Sequence, residues 1–192
     1  MKLNIPVILG SVRKNRQGIK VAKFVISELK IRGHNPILID PLKYKLSLLN
    51  KRFSDYPKSK APASLKKLST IFKKADAVLV VSAEYNHSIP PALSNLIDHF
   101  YKEYLWKPSG IVSYSIGSFA GVRASMQLRS LLSAVGMPAI STIFSIPKVH
   151  ETFDLKGNPK EKDYSKRIKQ FMDELEWYAH ACKAQRKKGV PY

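Results

Sequence analysis

Five short apolar runs, each followed by a stretch of helical periodicity, set the limits on what this chain can become. The runs at 5–9, 37–39, 77–81, 110–114 and 139–146 are dominated by Val, Ile and Leu. Strands covered on both faces read this way. Ala22, Val25, Ile26 and Leu29 fall at i, i+3, i+4, i+7, and so does the set Leu128, Leu131, Leu132 and Val135. Leu65, Leu68, Ile71 and Phe72, like Leu93, Leu96, Ile97 and Phe100, mark two further apolar helix faces. A last helix is expected from about 163 to 187, with Tyr164, Ile168, Phe171, Leu175, Tyr178 and Cys182 along one stripe. Such alternation predicts an α/β fold, an open parallel sheet with helices on both faces. Right-handed crossovers leave few topologies, and the order 2-1-3-4-5 suits five strands. Pro6 cannot donate a ladder hydrogen bond, so pairing of the first strand is expected to begin at or after it.

At 192 residues the chain suits one domain, expected over 1–182, with 183–192 as a basic tail that frays. A domain of this size needs no disulfide or metal to hold it. The single cysteine, Cys182, excludes an intrachain disulfide framework and a Cys-based zinc site, and on its stripe it reads as a small buried hydrophobe. No apolar run approaches the roughly 18–20 residues of a membrane span. The first apolar segment is shorter than a signal-peptide core and reads as a strand. A cytoplasmic protein without a membrane partner is the expectation.

Charge is lopsided. Residues 1–74 hold 18 basic and 3 acidic residues, whereas 75–192 hold 15 and 11. Such a field attracts phosphorylated cofactors, nucleic acid or acidic lipid. With 25 Lys against 8 Arg, a solvated lysine coat or a compositional bias is the plainer reading. Nucleic acid is the weakest of these, because no recognition helix or aromatic sheet motif accompanies the charge.

In a sheet of this order, ligands sit beyond the C-terminal strand ends, where strand order reverses. Three loops fall there. Loop 10–18, Gly-Ser-Val-Arg-Lys-Asn-Arg-Gln-Gly, runs into a helix. Amides at a helix N-terminus, a hydroxyl at Ser11 and guanidinium groups at Arg13 and Arg16 suit a phosphate. A basic turn with a capping serine is the plainer alternative. The loop lacks both the Gly-Lys-Ser/Thr signature and the three-glycine dinucleotide fingerprint. Loop 83–91 carries Glu84, Tyr85, Asn86, His87 and Ser88 before two prolines that open a helix. A flat ring with donors and acceptors could lie on it; alternatively, Asn86 only closes a turn. Loop 115–124 offers Ser115, Gly117, Ser118 and Gly121, where glycine permits close backbone approach.

Taken together, Gly10-Ser11-Val12-Arg13, Glu84-Tyr85-Asn86-His87-Ser88 with Asn95-Leu96-Ile97-Asp98, and Gly121-Val122-Arg123-Ala124 resemble the NADPH-dependent FMN reductase family over about residues 3–145. The resemblance implies a flavodoxin-like three-layer sandwich that binds FMN without covalent attachment. It implies reduction of quinones, free flavin, azo compounds or metal oxyanions with NAD(P)H by ping-pong hydride transfer through bound FMN, in a homodimer or homotetramer. By the same resemblance Gly10, Ser11, Arg13, Arg16, Gln17 and Gly18 hold the FMN phosphate. Glu84, Tyr85, Asn86 and His87 meet the ring near N5 and O4, mainly by backbone amides, and Ser115, Gly117 and Ser118 meet its pyrimidine edge. The sequence departs from the family at Ala83, often Pro, at Ser115, often Gly, and at Ala120-Gly121, often a Gly pair.

The flavin carries the chemistry in this reading, so no side chain is assigned as catalytic. The five histidines show no metal spacing. A flavodoxin-like electron carrier or redox-sensing flavin binder is the alternative, disfavoured by the basic charge. The apolar arc of residues 91–104 (Leu93, Leu96, Ile97, Phe100, Tyr101, Tyr104) is a candidate homo-oligomer interface, together with the helix after Gly121, unless it only covers the sheet. Between 43 and 74 lie ten basic residues and one acidic residue. Lys43, Lys45, Lys51, Arg52, Lys58 and Lys60 form a rim expected to favour NADPH if it reaches the cleft.

Overall fold

A computed structural model describes residues 1–57, 60–161 and 163–192. Lys58 of the basic rim lies outside the described residues. Five strands, β1 (Asn4–Leu9), β2 (Asn35–Ile39), β3 (Val78–Ala83), β4 (Ser109–Tyr114) and β5 (Ala139–Ile146), form one parallel sheet in the order β2-β1-β3-β4-β5.

Successive residues of a strand face opposite sides of a sheet, and here both sides are apolar. Ile5, Val7 and Leu9 of β1 and Leu79 and Val81 of β3 pack against α1 (Gly18–Ile31) and α7 (Asp163–Lys188) through Val21, Phe24, Phe171 and Leu175. Ile8, Val78 and Val80 pack on the other side against α3 (Ala63–Lys74), α4 (Pro91–Asp98) and α5 (Val122–Ala134) through Phe72, Leu96 and Leu128. Burying each such side chain contributes roughly 1.5–3 kcal/mol. That double coverage is why the central runs lack alternation. The edge strands β2 and β5 keep exposed positions.

Strand β1 begins two residues before Pro6, contrary to expectation, with Pro6 paired to Ile37. The reason is parity. Asn4 N–H goes to the Asp76 carboxylate at 2.9 Å and Gly10 N–H to Val81 O at 2.8 Å, so even-numbered residues turn their amides towards β3. Pairing with β3 starts only at Val7. The missing N–H of Pro6 therefore falls outside the paired stretch and leaves the β2 ladder intact.

Three further expectations change. The helix that opens the 91–104 arc ends at Asp98, so the arc is not one continuous helix face. Its arc is used internally: Leu93, Leu96, Ile97, Phe100 and Tyr104 are buried against the sheet, and only Tyr101 is exposed. They are therefore no interface. The segment expected as a fraying tail from 183 instead continues α7 to Lys188. Lys183 Nζ (2.9 Å) and Arg186 (3.4 Å) both reach buried Asp76 at the foot of β3, and Arg186 also donates to Trp106 O at 2.7 Å. A buried carboxylate left unpaired is costly, so the two cations dock the end of the helix. Towards that end the buried face runs through Ala179, leaving Tyr178 exposed and Cys182 half-buried.

The irregular stretch after β2 contains α2 (Pro41–Tyr44) and a 3-10 turn at Phe53–Asp55. It is pinned to α4 by Asn95, which accepts from Leu49 N–H (2.8 Å) and donates to Ser47 O (2.9 Å).

Candidate active site

The loop between β1 and α1 is folded tightly for two steric reasons. A Cβ on Gly10 would lie 3.0 Å from Leu93 Cδ2 and 3.2 Å from Val81 O. A Cβ on Gly18 would overlap the Tyr114 hydroxyl and lie 2.9 Å from Leu9 Cδ1. Arg16 then fixes the loop's course. It donates to Ser11 O at 2.8 Å and grips Asp40 with two bonds of 2.8 and 2.5 Å. Both side chains of that pair are largely buried. Asp40 also caps α2 through Leu42 N–H at 3.1 Å. Arg16 thus meets a carboxylate, while Arg13 is exposed, its guanidinium 5.4 Å from the Tyr85 ring centre. The N-cap of α1, Gln17, makes no side-chain capping bond. Buried Ser11 shares a hydrogen bond with the Tyr85 hydroxyl.

After β3, Tyr85 and Ser88 exchange two backbone bonds of 3.0 and 2.9 Å around Asn86 (φ 50°) and His87 (φ 62°). Two consecutive left-handed residues define a tight hairpin turn of the primed type. Asn suits its first position; His stands where glycine is preferred. Gln127 on α5 holds the turn, donating to His87 O (2.9 Å) and accepting from Ser88 Oγ (2.7 Å). Glu84 points away to α5, whose N-cap is Gly121, and accepts from Arg123 N–H (3.0 Å) and Ala124 N–H (3.2 Å). A carboxylate there satisfies free amides and complements the helix dipole.

The loop after β4 is bound to the chain beyond β5, at the start of α6 (Val149–Thr152). Val149 N–H donates to Ser115 O (3.0 Å), Lys148 N–H to Gly117 O (3.2 Å), and Ser115 Oγ to Gly117 O (2.9 Å). Where the family often has two glycines, Ala120 (φ 54°) and Gly121 (φ 78°) are both left-handed.

Ser11, Arg13, Arg16, Gln17, Glu84, Tyr85 and Ser115 meet around a cleft of about 320 Å³. Asn86, His87, Gly117 and Ser118 are exposed, and Gly10 and Gly18 are buried; none of these six lines the cavity. Sequence reasoning missed Tyr114, Ile116 and Val149, which do line it. Burial, and then the neighbouring Tyr85, push the Tyr114 phenol well above its usual pKa. It therefore stays protonated.

The cleft's residue types fit a flavin phosphate at one end, with an uncapped helix N-terminus, a hydroxyl and an accessible guanidinium. At the other end two backbone turns could border a flat ring. A family profile described as NADPH-dependent FMN reductase matches residues 3–151. A quinone reductase of Pseudomonas putida is 32% identical over 71% of this chain and 73% of its own length. An NAD(P)H-dependent FMN reductase of a Nectria species is 34% identical over 68% of each. Among solved structures, the flavoenzyme NAD(P)H:(acceptor) oxidoreductase FerB of Paracoccus denitrificans superposes with a TM-score of 0.74 at 22% identity, covering 95% of this chain and 98% of its own. A flavodoxin from the domain Archaea gives 0.57 at 13%, over 93% and 99%; these two likenesses show the fold. The chain belongs to the NADPH-dependent FMN reductase family, and is thereby an oxidoreductase with FMN as cofactor and NAD(P)H as co-substrate.

Proposed function

We propose that the cleft holds FMN non-covalently and that the protein passes reducing equivalents from NAD(P)H to quinones, the substrates for which several relatives are named. Free flavin, azo compounds and metal oxyanions are further acceptors within this reading. It is carried by one observation: an uncapped α1 N-terminus beside Ser11 and Arg13 shares a single cleft with the turns that end β3 and β4.

When bound, FMN supplies the hydride and electron chemistry. The chain binds and orients. Ser11 Oγ and the first amides of α1, with the Gln17 side chain beside them, donate to the phosphate, and Arg13 neutralises it. Arg16 acts through Ser11 O, because its charge is already matched by Asp40. Gly10 and Gly18 let strand and helix close on one another. Backbone groups of Glu84, Tyr85, Asn86 and His87 border the ring, and Ser115, Gly117 and Ser118 its pyrimidine edge. No side chain serves as nucleophile or base. Donor and acceptor use the same open cleft in turn, which predicts parallel double-reciprocal plots.

The purified protein should show the visible bands of oxidised flavin and oxidise NADPH only when a quinone such as 1,4-benzoquinone is added. Bound flavin without quinone-dependent turnover would return the chain to the electron-carrier reading. NADPH is favoured over NADH by the basic rim, whose connection starts at Asp40 and is tied to the cleft by Arg16. Exposed charges are screened over about 8–10 Å at physiological ionic strength, so the NADPH/NADH ratio of kcat/KM should fall as salt rises; a ratio that ignores salt would leave these lysines as a coat.

Assembly as a homodimer or homotetramer is part of the proposal. Its support is the exposed apolar group Ile116, Phe119, Val122 and Met126 beside the cleft, since such patches on soluble proteins mark interaction sites. A monomeric mass by light scattering at micromolar concentration would remove it. No helix among the described residues is long and apolar enough to cross a membrane, and the proposed location is the cytoplasm.

A further inference from the structure

The two faces of the sheet carry their charge differently. On the α1 and α7 face, cations meet carboxylates: Arg32 reaches Asp173 at 2.8 Å and Glu176 at 2.9 Å, and Lys169 reaches Asp173 at 2.7 Å. On the opposite face, α3 carries Lys66, Lys67, Lys73 and Lys74, all exposed, and no acidic residue. The lysine-rich connection after β2 lies beside it and reaches the end of α4, where the Phe53 N–H donates to His99 O at 2.8 Å. Asp55, the one acid between 43 and 74, already accepts from the Arg52 backbone N–H (2.9 Å) and the Ser54 hydroxyl (3.0 Å). Glu103, 3.9 Å from Lys73, is buried and takes the Ser69 hydroxyl at 2.8 Å.

Cations on this face lie over aromatic rings instead. Lys67 Nζ is 6.0 Å from the Tyr44 ring centre, Lys73 Nζ is 5.8 Å from that of Phe53, and the Arg52 guanidinium is 5.8 Å from that of Tyr101. Such contacts hold the stems on apolar surface and leave the charged heads in water, open to an external anion. In the same connection Leu42 is 51% and Leu48 83% exposed. This combination selects among polyanions. Bases are read mainly by Arg, Asn and Gln and stack on bare rings. Here Arg52 is the only arginine between 43 and 74, and the rings lie under cations. Clustered lysines beside exposed aliphatic side chains suit anionic lipid, whose headgroups meet the cations while the leucines enter the acyl boundary.

We propose that the α3 face, with the connection beside it, docks on the surface of a bilayer that contains anionic lipid. Contact is peripheral, since no helix among the described residues is long and apolar enough to cross a membrane. The anionic leaflet is the cytoplasmic one, in keeping with the proposed location. This interaction goes beyond the oxidoreductase reading and does not depend on the cofactor.

Co-sedimentation with vesicles tests it. The wild-type protein should bind vesicles of equal parts phosphatidylcholine and phosphatidylserine, leave pure phosphatidylcholine vesicles unbound, and be released by high salt, which screens exposed charge. Each lysine near such a surface contributes about fivefold in affinity, so Lys67→Ala, Lys73→Ala and Lys74→Ala combined should weaken binding about a hundredfold. Lys30→Ala, Lys166→Ala and Lys187→Ala combined remove the same charge from exposed positions on α1 and α7. That variant should lose less than about threefold, because charges beyond a screening length contribute little. Wild-type protein that ignores the phosphatidylserine vesicles, or equal losses in the two triple variants, would overturn the proposal. So would a mixed-sequence DNA duplex that binds more tightly than the vesicles at equal concentration of anionic charge.

Discussion

At the β1–α1 end of the cleft the backbone is held by partners distant in sequence: Arg16 by Asp40, Gly18 by Tyr114, Gly10 by Leu93. At the β3 and β4 end the turns place three residues other than glycine, Asn86, His87 and Ala120, in the left-handed region, and their ties run to α5 and to the chain beyond β5. The first end relies on burial and charge, so single changes there should cost several kcal/mol. The second holds mild strain, so changes there should move stability by tenths to about one kcal/mol, in either direction. Ranking variants by effect tests that contrast.

The largest effect is expected from Asp40→Ala. It leaves the Arg16 guanidinium, largely buried, without its carboxylate, and removes the α2 cap at Leu42. Breaking a buried pair from one side costs about 3–5 kcal/mol. Urea unfolding should show that loss; a loss under about 1 kcal/mol would mean that water screens the pair. Gly18→Ala comes next. Its methyl would overlap the buried Tyr114 hydroxyl, and overpacking of this kind costs about 1–3 kcal/mol. At this chain length each kcal/mol lowers Tm by roughly 2–4 °C, so an unchanged Tm would show that the tyrosine can swing away.

Arg13→Ala should leave the fold intact and act on the ligand. The side chain is exposed and stacks on Tyr85. FMN binding should weaken by about 1.5–3 kcal/mol, the scale of a hydrogen bond to a charged group, with riboflavin nearly unaffected. Equal weakening of both would place the guanidinium away from the phosphate.

The same contrast separates what the sequence disclosed from what it concealed. Strand order and the seating of most helices were legible because apolar period is local: runs for the covered strands, stripes for α1, α3 and α5. The three loops were legible because a parallel sheet of this order gathers its strand ends at one edge. The motifs did not disclose which arginine would be left free. Arg16 and Arg13 look alike in sequence, and the difference is made by Asp40, which arrives from the end of β2. Glu84 reads as a ring contact until α5, thirty-nine residues on, offers it two amides. Tyr114 reads as one more strand residue until α1 presents a glycine to it. The docking of Lys183 and Arg186 on Asp76 is hidden for the same reason: pairing across the fold leaves no periodicity. Pro6 misled because its parity in the sheet depends on where β3 begins.

The smallest effect belongs to His87→Gly, and its sign carries the argument. His87 is exposed, with φ at 62° in the second position of the Tyr85–Ser88 turn. Holding a side chain in the left-handed region costs roughly 1–2 kcal/mol. Glycine removes that cost but adds freedom to the unfolded chain, worth about 0.4–1 kcal/mol in the other direction. The turn's bonds are retained, because Gln127 grips the His87 carbonyl and not the imidazole. The balance predicts a gain of about 0.5 kcal/mol, read as a small rise in the urea midpoint at constant slope. If the midpoint falls instead, the imidazole contributes contacts that outweigh the strain, and the two ends of the cleft are then built more alike than their backbones suggest.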